Sequence, residues 1–137
     1  MLTFEIIGNP VPQKQTKFIR STGRAYNPSK KDLEAIQRKV RPFAPKDPLT
    51  CALSMQIYFY LPIPASTSKK KRELMLRGRV RHIKKPDADN LAYLVTNALK
   101  NIVYHDDSQI DWFSVQKFYS DQPRTIINIM PEGMQTC

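Results

Sequence analysis

Alternating apolar and polar residues mark the strands of this chain. The clearest alternation runs from Cys51 to Leu61, where every second residue is apolar, and a period of two is that of a strand with one buried face. The same reasoning predicts further strands over residues 2–7, about 110–119 and 124–130. A short turn at Asp121, Gln122 and Pro123 separates the last two strands, which favours a hairpin between them.

Helical spacing occurs in three segments. The best defined extends from Asp89 to about Ile102, where apolar residues recur at i, i+3, i+4 and i+7 and form one stripe. This stripe suits either the domain core or an interface with a second copy of the chain. A second helix is predicted to begin at Ser29, a favoured N-cap residue. A short basic helix is predicted from about Ser66 to Gly78.

Because strands and helices are interspersed, the predicted class is α+β, a two-layer α/β sandwich with a mixed or antiparallel sheet. A chain of 137 residues has the size of a single domain, which we place at residues 1–137 with a frayed tail from about residue 132. No apolar run approaches the ~20 residues that span a bilayer, and the N-terminal residues lack the features of a secretory signal. We therefore expect a cytoplasmic protein with no membrane partner.

The chain is strongly basic, with 22 Lys and Arg against 12 Asp and Glu, a net charge of +10 and a pI near 9.8. Such an excess suits a polyanionic partner such as nucleic acid, although from charge alone attraction to a membrane surface or plain solubility explains it as well. Nine of the basic residues lie between Lys69 and Lys85. The candidate phosphate contacts are Lys14, Lys17, Lys69, Lys70, Lys71, Arg72, Arg79, Arg81, Lys84 and Lys85.

Two pairs of aspartates flank the best-defined helix. Asp87 and Asp89 stand at its start, and Asp106 with Asp107 follows its end. Carboxylate oxygens are ligands that Mg²⁺ takes in proteins, and a cluster of them would hold metal ions against a DNA phosphate. Each aspartate also has an ordinary explanation, Asp89 as an N-cap and Asp106 with Asp107 as a turn. A basic interaction domain whose aspartates only cap and turn therefore remains an alternative.

Four motifs cover most of the chain, from the first strand to the last: Lys85–Leu91 (KPDADNL), Asp106–Ile110 (DDSQI), Gly8–Lys14 (GNPVPQK) and Ala25–Pro28 (AYNP). Together they resemble the RusA family of Holliday junction resolvases. The resemblance implies a compact α+β homodimer that resolves four-way branched DNA by paired symmetrical nicks. It also implies a requirement for Mg²⁺, for which Mn²⁺ would substitute.

Carried over by position, the resemblance implies that Asp87, Asp89 and Asp107 are the catalytic and metal-binding residues. Asp106 is implied as a further metal ligand or as a supporting acceptor. Asn90 matches the residue that follows the aspartate pair in the family, and it is expected to fix the geometry of that pair through hydrogen bonds.

Tyr93 and Asn97 depart from the family pattern, which usually has a lysine at the first position and often an acidic residue at the second. Tyr93 cannot supply a fixed positive charge at neutral pH, because an ordinary tyrosine titrates at about pH 10. The missing cation would then come from elsewhere, with Lys84, Lys85, Lys14 and Lys17 as candidates. The alternative is a catalytically weakened or inactive protein of the same fold, which would bind branched DNA without cutting it.

Overall fold

Six strands and three α-helices form along residues 1–133, the part of the chain that this computed structural model describes. The strands are β1 (Leu2–Ile7), β2 (Lys17–Ile19), β3 (Arg24–Tyr26), β4 (Ala52–Pro62), β5 (Ile110–Ser120) and β6 (Arg124–Glu132). The helices are α1 (Lys30–Val40), α2 (Lys69–Leu76) and α3 (Ala88–Leu99), with short 3₁₀ helices at Arg41–Phe43 and Asp107–Gln109. Most of the predicted frayed tail, residues 134–137, lies outside the described residues, whereas β6 continues to Glu132.

One mixed sheet contains β1, β6, β4 and β5 in that order, with β4 and β5 parallel and the other neighbours antiparallel. The predicted hairpin between β5 and β6 is wrong, because β4 lies between these two strands. The bend at residues 121–123 carries the chain past β4 instead. The five alternating residues from Leu53 to Leu61 are at most 3% exposed, so β4 supplies the centre of the buried face of the sheet.

Helices α1 and α3 pack together on one face of this sheet. α3 buries Leu91, Val95 and Leu99 in a core that it shares with β4, and α1 contributes Ile36 and Val40. The α+β class with a mixed sheet is therefore confirmed. Because the apolar stripe of α3 is buried within its own chain, this stripe belongs to the core. None of the helices in residues 1–133 is long and apolar enough to cross a membrane.

The opposite face of the sheet carries aromatic side chains from β4 and β5. Tyr60 stacks on Phe118 with ring centroids 5.4 Å apart, and the Arg124 guanidinium lies 3.9 Å from the centre of the Tyr60 ring. Toward the other end of this face, Trp112 and Met130 are 51% and 42% exposed. This face therefore retains apolar surface in contact with solvent.

α3 differs from its prediction at both ends. It begins at Ala88 with Asp87 at the N-cap, and it ends at Leu99, before the predicted Ile102. Asn101 follows with a φ of 65°, a left-handed conformation that asparagine tolerates better than most residues. The extended backbone of Lys100 (ψ 133°) ends the helix, and the left-handed Asn101 then turns the chain toward β5.

The N-terminal segment is fixed to the start of α1 by a serine. Ser29 stands at the predicted N-cap position, but its side chain does not cap the helix. Its buried hydroxyl accepts a hydrogen bond from Lys14 N at 2.7 Å instead. Ser68 does cap α2, accepting a hydrogen bond from Lys71 N. The hairpin formed by β2 and β3 was not predicted, because strands of three residues are too short to show a period of two.

Candidate active site

The start of α3 presents two aspartates to solvent. Asp87 Oδ2 accepts a hydrogen bond from Lys85 Nζ at 2.7 Å, and Asp89 Oδ1 accepts one from Asn90 N at 2.9 Å. Asp87 occupies the N-cap position, yet its side chain makes no capping hydrogen bond. The N-cap explanation for Asp89 is therefore wrong, since Asp87 occupies that position and Asp89 lies in the first turn of the helix.

The Lys85 ammonium lies close to both of these carboxylates. Its hydrogen bond to Asp87 raises the pKa of Lys85, and the charges of Asp87 and Asp89 raise it further. Lys85 thus stands where a divalent cation would neutralise the same pair. Exposed ion pairs of this kind are weak, so a metal ion can displace the ammonium. Two carboxylates completed by water and a phosphate form an oxygen donor set that fits Mg²⁺.

A lysine from the sheet holds the loop that leads into α3. Lys117 Nζ donates hydrogen bonds to Lys84 O and Pro86 O, each at 3.0 Å. Lys117 is paired with Phe59 in the register of β4 and β5, so it projects from the face of the sheet that the helices cover. A lysine on the buried face of a predicted strand was the sequence feature that could have drawn attention to Lys117. Its hydrogen-bond partners could not be predicted, because they depend on the tertiary fold.

His82 packs beside the same loop. Its ring lies 4.8 Å from that of Tyr119, and its Nδ1 is buried without a hydrogen-bond partner among the described residues. Burial lowers the pKa of His82, and the positive charges of Lys117 and Lys84 lower it further. The surroundings of this loop therefore favour the neutral imidazole over the charged form.

Asp106 and Gln109 form a capping box around the second 3₁₀ helix. Asp106 Oδ2 accepts a hydrogen bond from Ser108 N at 3.1 Å, and Gln109 Oε1 accepts one from Asp106 N at 2.9 Å. Gln109 Nε2 also donates to Leu49 O and Cys51 O at 2.8 and 2.9 Å. The turn expected at Asp106 is thus present, and it is anchored to the residues that precede β4.

Both oxygens of Asp106 are engaged, whereas Asp107 is exposed. Asp106 Oδ1 lies 2.7 Å from Lys100 Nζ, and the hydrogen bonds from Lys100 and Ser108 hold the pKa of Asp106 well below its usual range. The hydrogen bond with Asp106 also raises the pKa of Lys100, and the charges of Asp106 and Asp107 raise it further. Within residues 1–133, the Asp107 carboxylate forms no hydrogen bond or ion pair, so it is available to a ligand.

A buried tyrosine supports this end of α3. The Tyr104 hydroxyl donates a hydrogen bond to Thr96 O at 2.7 Å, which satisfies one of the carbonyls in the last turns of the helix. Burial raises the pKa of Tyr104 far above its usual value. The hydroxyl therefore stays protonated and keeps donating this bond.

The two pairs of aspartates lie at opposite ends of α3. Twelve helical residues span about 18 Å at 1.5 Å per residue. Accordingly, no group of three His, Cys, Asp or Glu side chains in the described part of the chain lies close enough to hold one metal ion. The structure brings Asp87 together with Asp89, but it does not bring Asp107 to them.

The ten basic residues predicted to contact phosphate lie on three parts of the surface. Lys69, Lys70, Lys71 and Arg72 form the first turn of α2, and Arg79, Arg81, Lys84 and Lys85 follow between α2 and α3. Lys14 and Lys17 belong to the N-terminal segment and β2. All are exposed except Arg72, which is partly buried. The longest stretch of positive charge therefore leads directly to the two aspartates at the start of α3.

A long run of exposed positive charge is typical of proteins that bind nucleic-acid phosphates, and paired carboxylates beside it suit a metal ion that acts on such a phosphate. The family model of Endodeoxyribonuclease RusA matches residues 8–130 of this chain. The chain belongs to the RusA endodeoxyribonuclease family, which confirms the resemblance seen in its motifs and implies nuclease activity. It is also 33% identical over 134 residues to the Uncharacterized protein YqaN of Bacillus subtilis (strain 168), an alignment that covers 93% of this chain and 94% of that protein.

Proposed function

We propose that this protein is a Mg²⁺-dependent, structure-selective endodeoxyribonuclease that resolves four-way DNA junctions by paired symmetrical nicks. The observation that carries the proposal is the cluster of Asp87, Asp89 and Lys85 at the start of α3, in a chain of an endodeoxyribonuclease family. The exposed basic residues that lead to this cluster supply the phosphate contacts that position DNA.

Asp87 and Asp89 hold the Mg²⁺ ion in this proposal, and Mn²⁺ substitutes for it. When bound, the ion supplies charge that polarises the scissile phosphate and activates a water molecule. Asn90 keeps Asp89 in place through its backbone N–H. Once the metal ion displaces Lys85 from Asp87, the Lys85 ammonium contacts the phosphate. It thereby supplies the positive charge that Tyr93 cannot supply.

The family pattern makes Asp107 the third catalytic carboxylate, and we keep it in the proposal as an exposed side chain with no partner within residues 1–133, although it lies at the other end of α3 from Asp87 and Asp89. Asp106 is a positioning residue rather than a first choice as metal ligand, since Lys100 and Ser108 already occupy its oxygens. Its capping box holds the turn from which Asp107 projects.

Paired nicks require two active sites related by a two-fold axis, like the junction itself. A homodimer is therefore part of the proposal. The exposed apolar residues Trp112 and Met130 on the sheet face opposite α1 and α3 supply surface suited to contact with a second copy. Sedimentation velocity at micromolar concentration tests this part, and a monomer at all concentrations would contradict it.

A junction-binding protein without cleavage is the second candidate function. It is favoured by Tyr93 in place of the family's lysine, and by the separation of Asp107 from the other two aspartates across α3. This candidate predicts tight, salt-sensitive junction binding with no product.

Cleavage of synthetic four-way junctions in Mg²⁺ and in Mn²⁺ tests the enzymatic proposal. We expect paired nicks from the wild-type protein and none from Asp89→Asn, with junction binding in Ca²⁺ and the circular dichroism spectrum retained. Asp121→Asn is the matched control, because Asp121 is an exposed aspartate in the bend between β5 and β6. Intact junctions after incubation with wild-type protein in both metals, despite tight binding, would favour the second candidate.

A further inference from the structure

A polar groove of about 340 Å³ lies beside the exposed face of α3. The proposed metal site does not use this groove. The N-terminal segment forms one wall and α3 forms the floor. The residues that line the groove are Gln13, Lys14, Gln15, Thr16, Asn27, Asn90, Tyr93 and Asn97. Five of these eight residues carry a side-chain amide, and one is aromatic.

The walls of the groove are fixed by hydrogen bonds between distant parts of the chain. Gln13 N donates to Asn90 O at 2.9 Å, and Lys14 N donates to the buried Ser29 hydroxyl. Asn27 Oδ1 accepts hydrogen bonds from Ser29 N at 2.9 Å and from Gln13 Nε2 at 3.3 Å. The groove is therefore held open before any ligand arrives, which reduces the cost of ordering its walls on binding.

The floor of the groove begins directly beside the proposed metal site, because Asn90 follows Asp89 in α3. Asn90, Tyr93 and Asn97 are spaced at i, i+3 and i+7, so they share one face of α3. Asp89 precedes Tyr93 by four residues, so these two side chains are also neighbours on the helix surface. A DNA strand whose phosphate lies at Asp89 would thus place an adjacent nucleotide in the groove.

Several polar groups in the groove have no partner of their own. The side-chain amides of Asn90 and Asn97 form no hydrogen bond within residues 1–133, and Gln13 Oε1 is buried there without a partner. The Tyr93 side chain is 54% exposed, although a tyrosine ring gains from contact with another flat surface. A ligand with a flat face and a polar edge would fit these groups, because the face can stack on the Tyr93 ring and the edge can hydrogen-bond to the amides.

We infer that the groove binds one unstacked nucleotide next to the scissile phosphate of branched DNA, an inference that rests on the proposed function. Tyr93 stacks on the base, as aromatic side chains do on single-stranded nucleic acid. Asn90 and Asn97 hydrogen-bond the edge of the base, because an amide offers a donor and an acceptor side by side. Lys14 contacts the neighbouring phosphate.

This inference gives a physical meaning to Tyr93. A lysine at that position would attract a phosphate of any sequence, whereas a tyrosine flanked by amides can distinguish one base from another. The chain thereby exchanges a charge contact for a base contact. The groove would set which nucleotide sequence at the branch point is cut.

A fluorescent base analogue tests the stacking directly and without cleavage. Four-way junctions carrying 2-aminopurine at single positions around the branch point are bound in Ca²⁺, and the fluorescence is recorded. We expect quenching at one position with the wild-type protein and with Tyr93→Phe, which keeps the ring. Tyr93→Leu should lose the quenching and bind about five- to tenfold more weakly. Tyr26→Leu is the matched control, since Tyr26 is 45% exposed and does not line the groove.

A second measurement maps the cut sites in Mg²⁺ on junctions of varied sequence. Wild type should prefer certain nucleotides at the branch point, and Asn97→Ala and Tyr93→Leu should cut with less preference and a higher KM. If wild type cuts while quenching and sequence preference are unchanged in both variants, the inference is overturned. If wild type fails to cut but the Tyr93-dependent quenching is present, the groove is supported and the proposed nuclease function fails.

Discussion

Replacing Lys117 by methionine should loosen the loop that carries the first two aspartates. Lys117 Nζ makes two hydrogen bonds of 3.0 Å, to Lys84 O and Pro86 O, and methionine keeps the aliphatic packing but neither bond. A hydrogen bond to a charged group contributes about 1.5–3 kcal/mol. Because the loop is near the surface, water replaces part of what is lost. We therefore expect the free energy of unfolding to fall by about 1–3 kcal/mol.

Urea denaturation followed by circular dichroism measures this loss, with Lys46→Met as the control because Lys46 is exposed. A positioning role also predicts that Lys117→Met needs several-fold more Mg²⁺ for half-maximal junction cleavage, while the rate at saturating Mg²⁺ changes less. A purely structural lysine would leave the Mg²⁺ dependence alone. A variant within about 0.5 kcal/mol of wild type, with the same Mg²⁺ dependence, would refute the reasoning.

Three further predictions concern single side chains. Tyr104→Phe removes the hydrogen bond to a carbonyl of α3 and should lower the free energy of unfolding by about 1–2 kcal/mol in urea titrations, whereas Tyr26→Phe should change it little. Lys85→Met removes the ammonium that competes with Mg²⁺ for Asp87 and Asp89. Calorimetry without DNA should therefore show tighter Mg²⁺ binding, although junction cleavage should slow. Weaker Mg²⁺ binding would contradict the role assigned to Lys85. The lowered pKa of His82 means that the unfolded chain binds a proton at His82 more readily than the folded one. The contribution of His82 to stability should therefore be complete above pH 6.5 and be lost as the pH drops below it. Between about pH 7 and 5, the melting temperature of His82→Gln should fall less than that of the wild type. An equal fall in both proteins would show that another group is responsible. His105→Gln is the control, because His105 is exposed.

The elements that sequence periodicity predicted correctly are those with a large buried face. β4 and α3 bury a regular stripe of apolar side chains, so the period of each stripe was visible in the sequence. The order of strands in the sheet was not visible, because the bend before Arg124 fits a hairpin as well as a chain that passes beyond β4. The pairing of β4 with both β5 and β6 decided the order, and the turn residues 121–123 did not distinguish it from a hairpin.

The candidate site divides in the same way. The motif around Asp87 and Asp89 and the turn at Asp106 are local, and both could be predicted from neighbouring residues. Lys100 and Lys117 could not, because each meets its partner only after a helix or a strand has packed. The groove beside Tyr93 was also beyond sequence reasoning, since it requires the N-terminal segment to lie against α3.

The pairing of β1 with β6 has a consequence for how the protein is made. These are the first and last strands of the described chain, and β6 also separates β1 from β4. During synthesis, β1 therefore has no strand to pair with until β6 has left the ribosome. The sheet, and with it the support for both ends of α3, is completed only late in translation. A nascent chain that already displays its basic residues and aspartates would thus lack the folded framework needed to cut DNA.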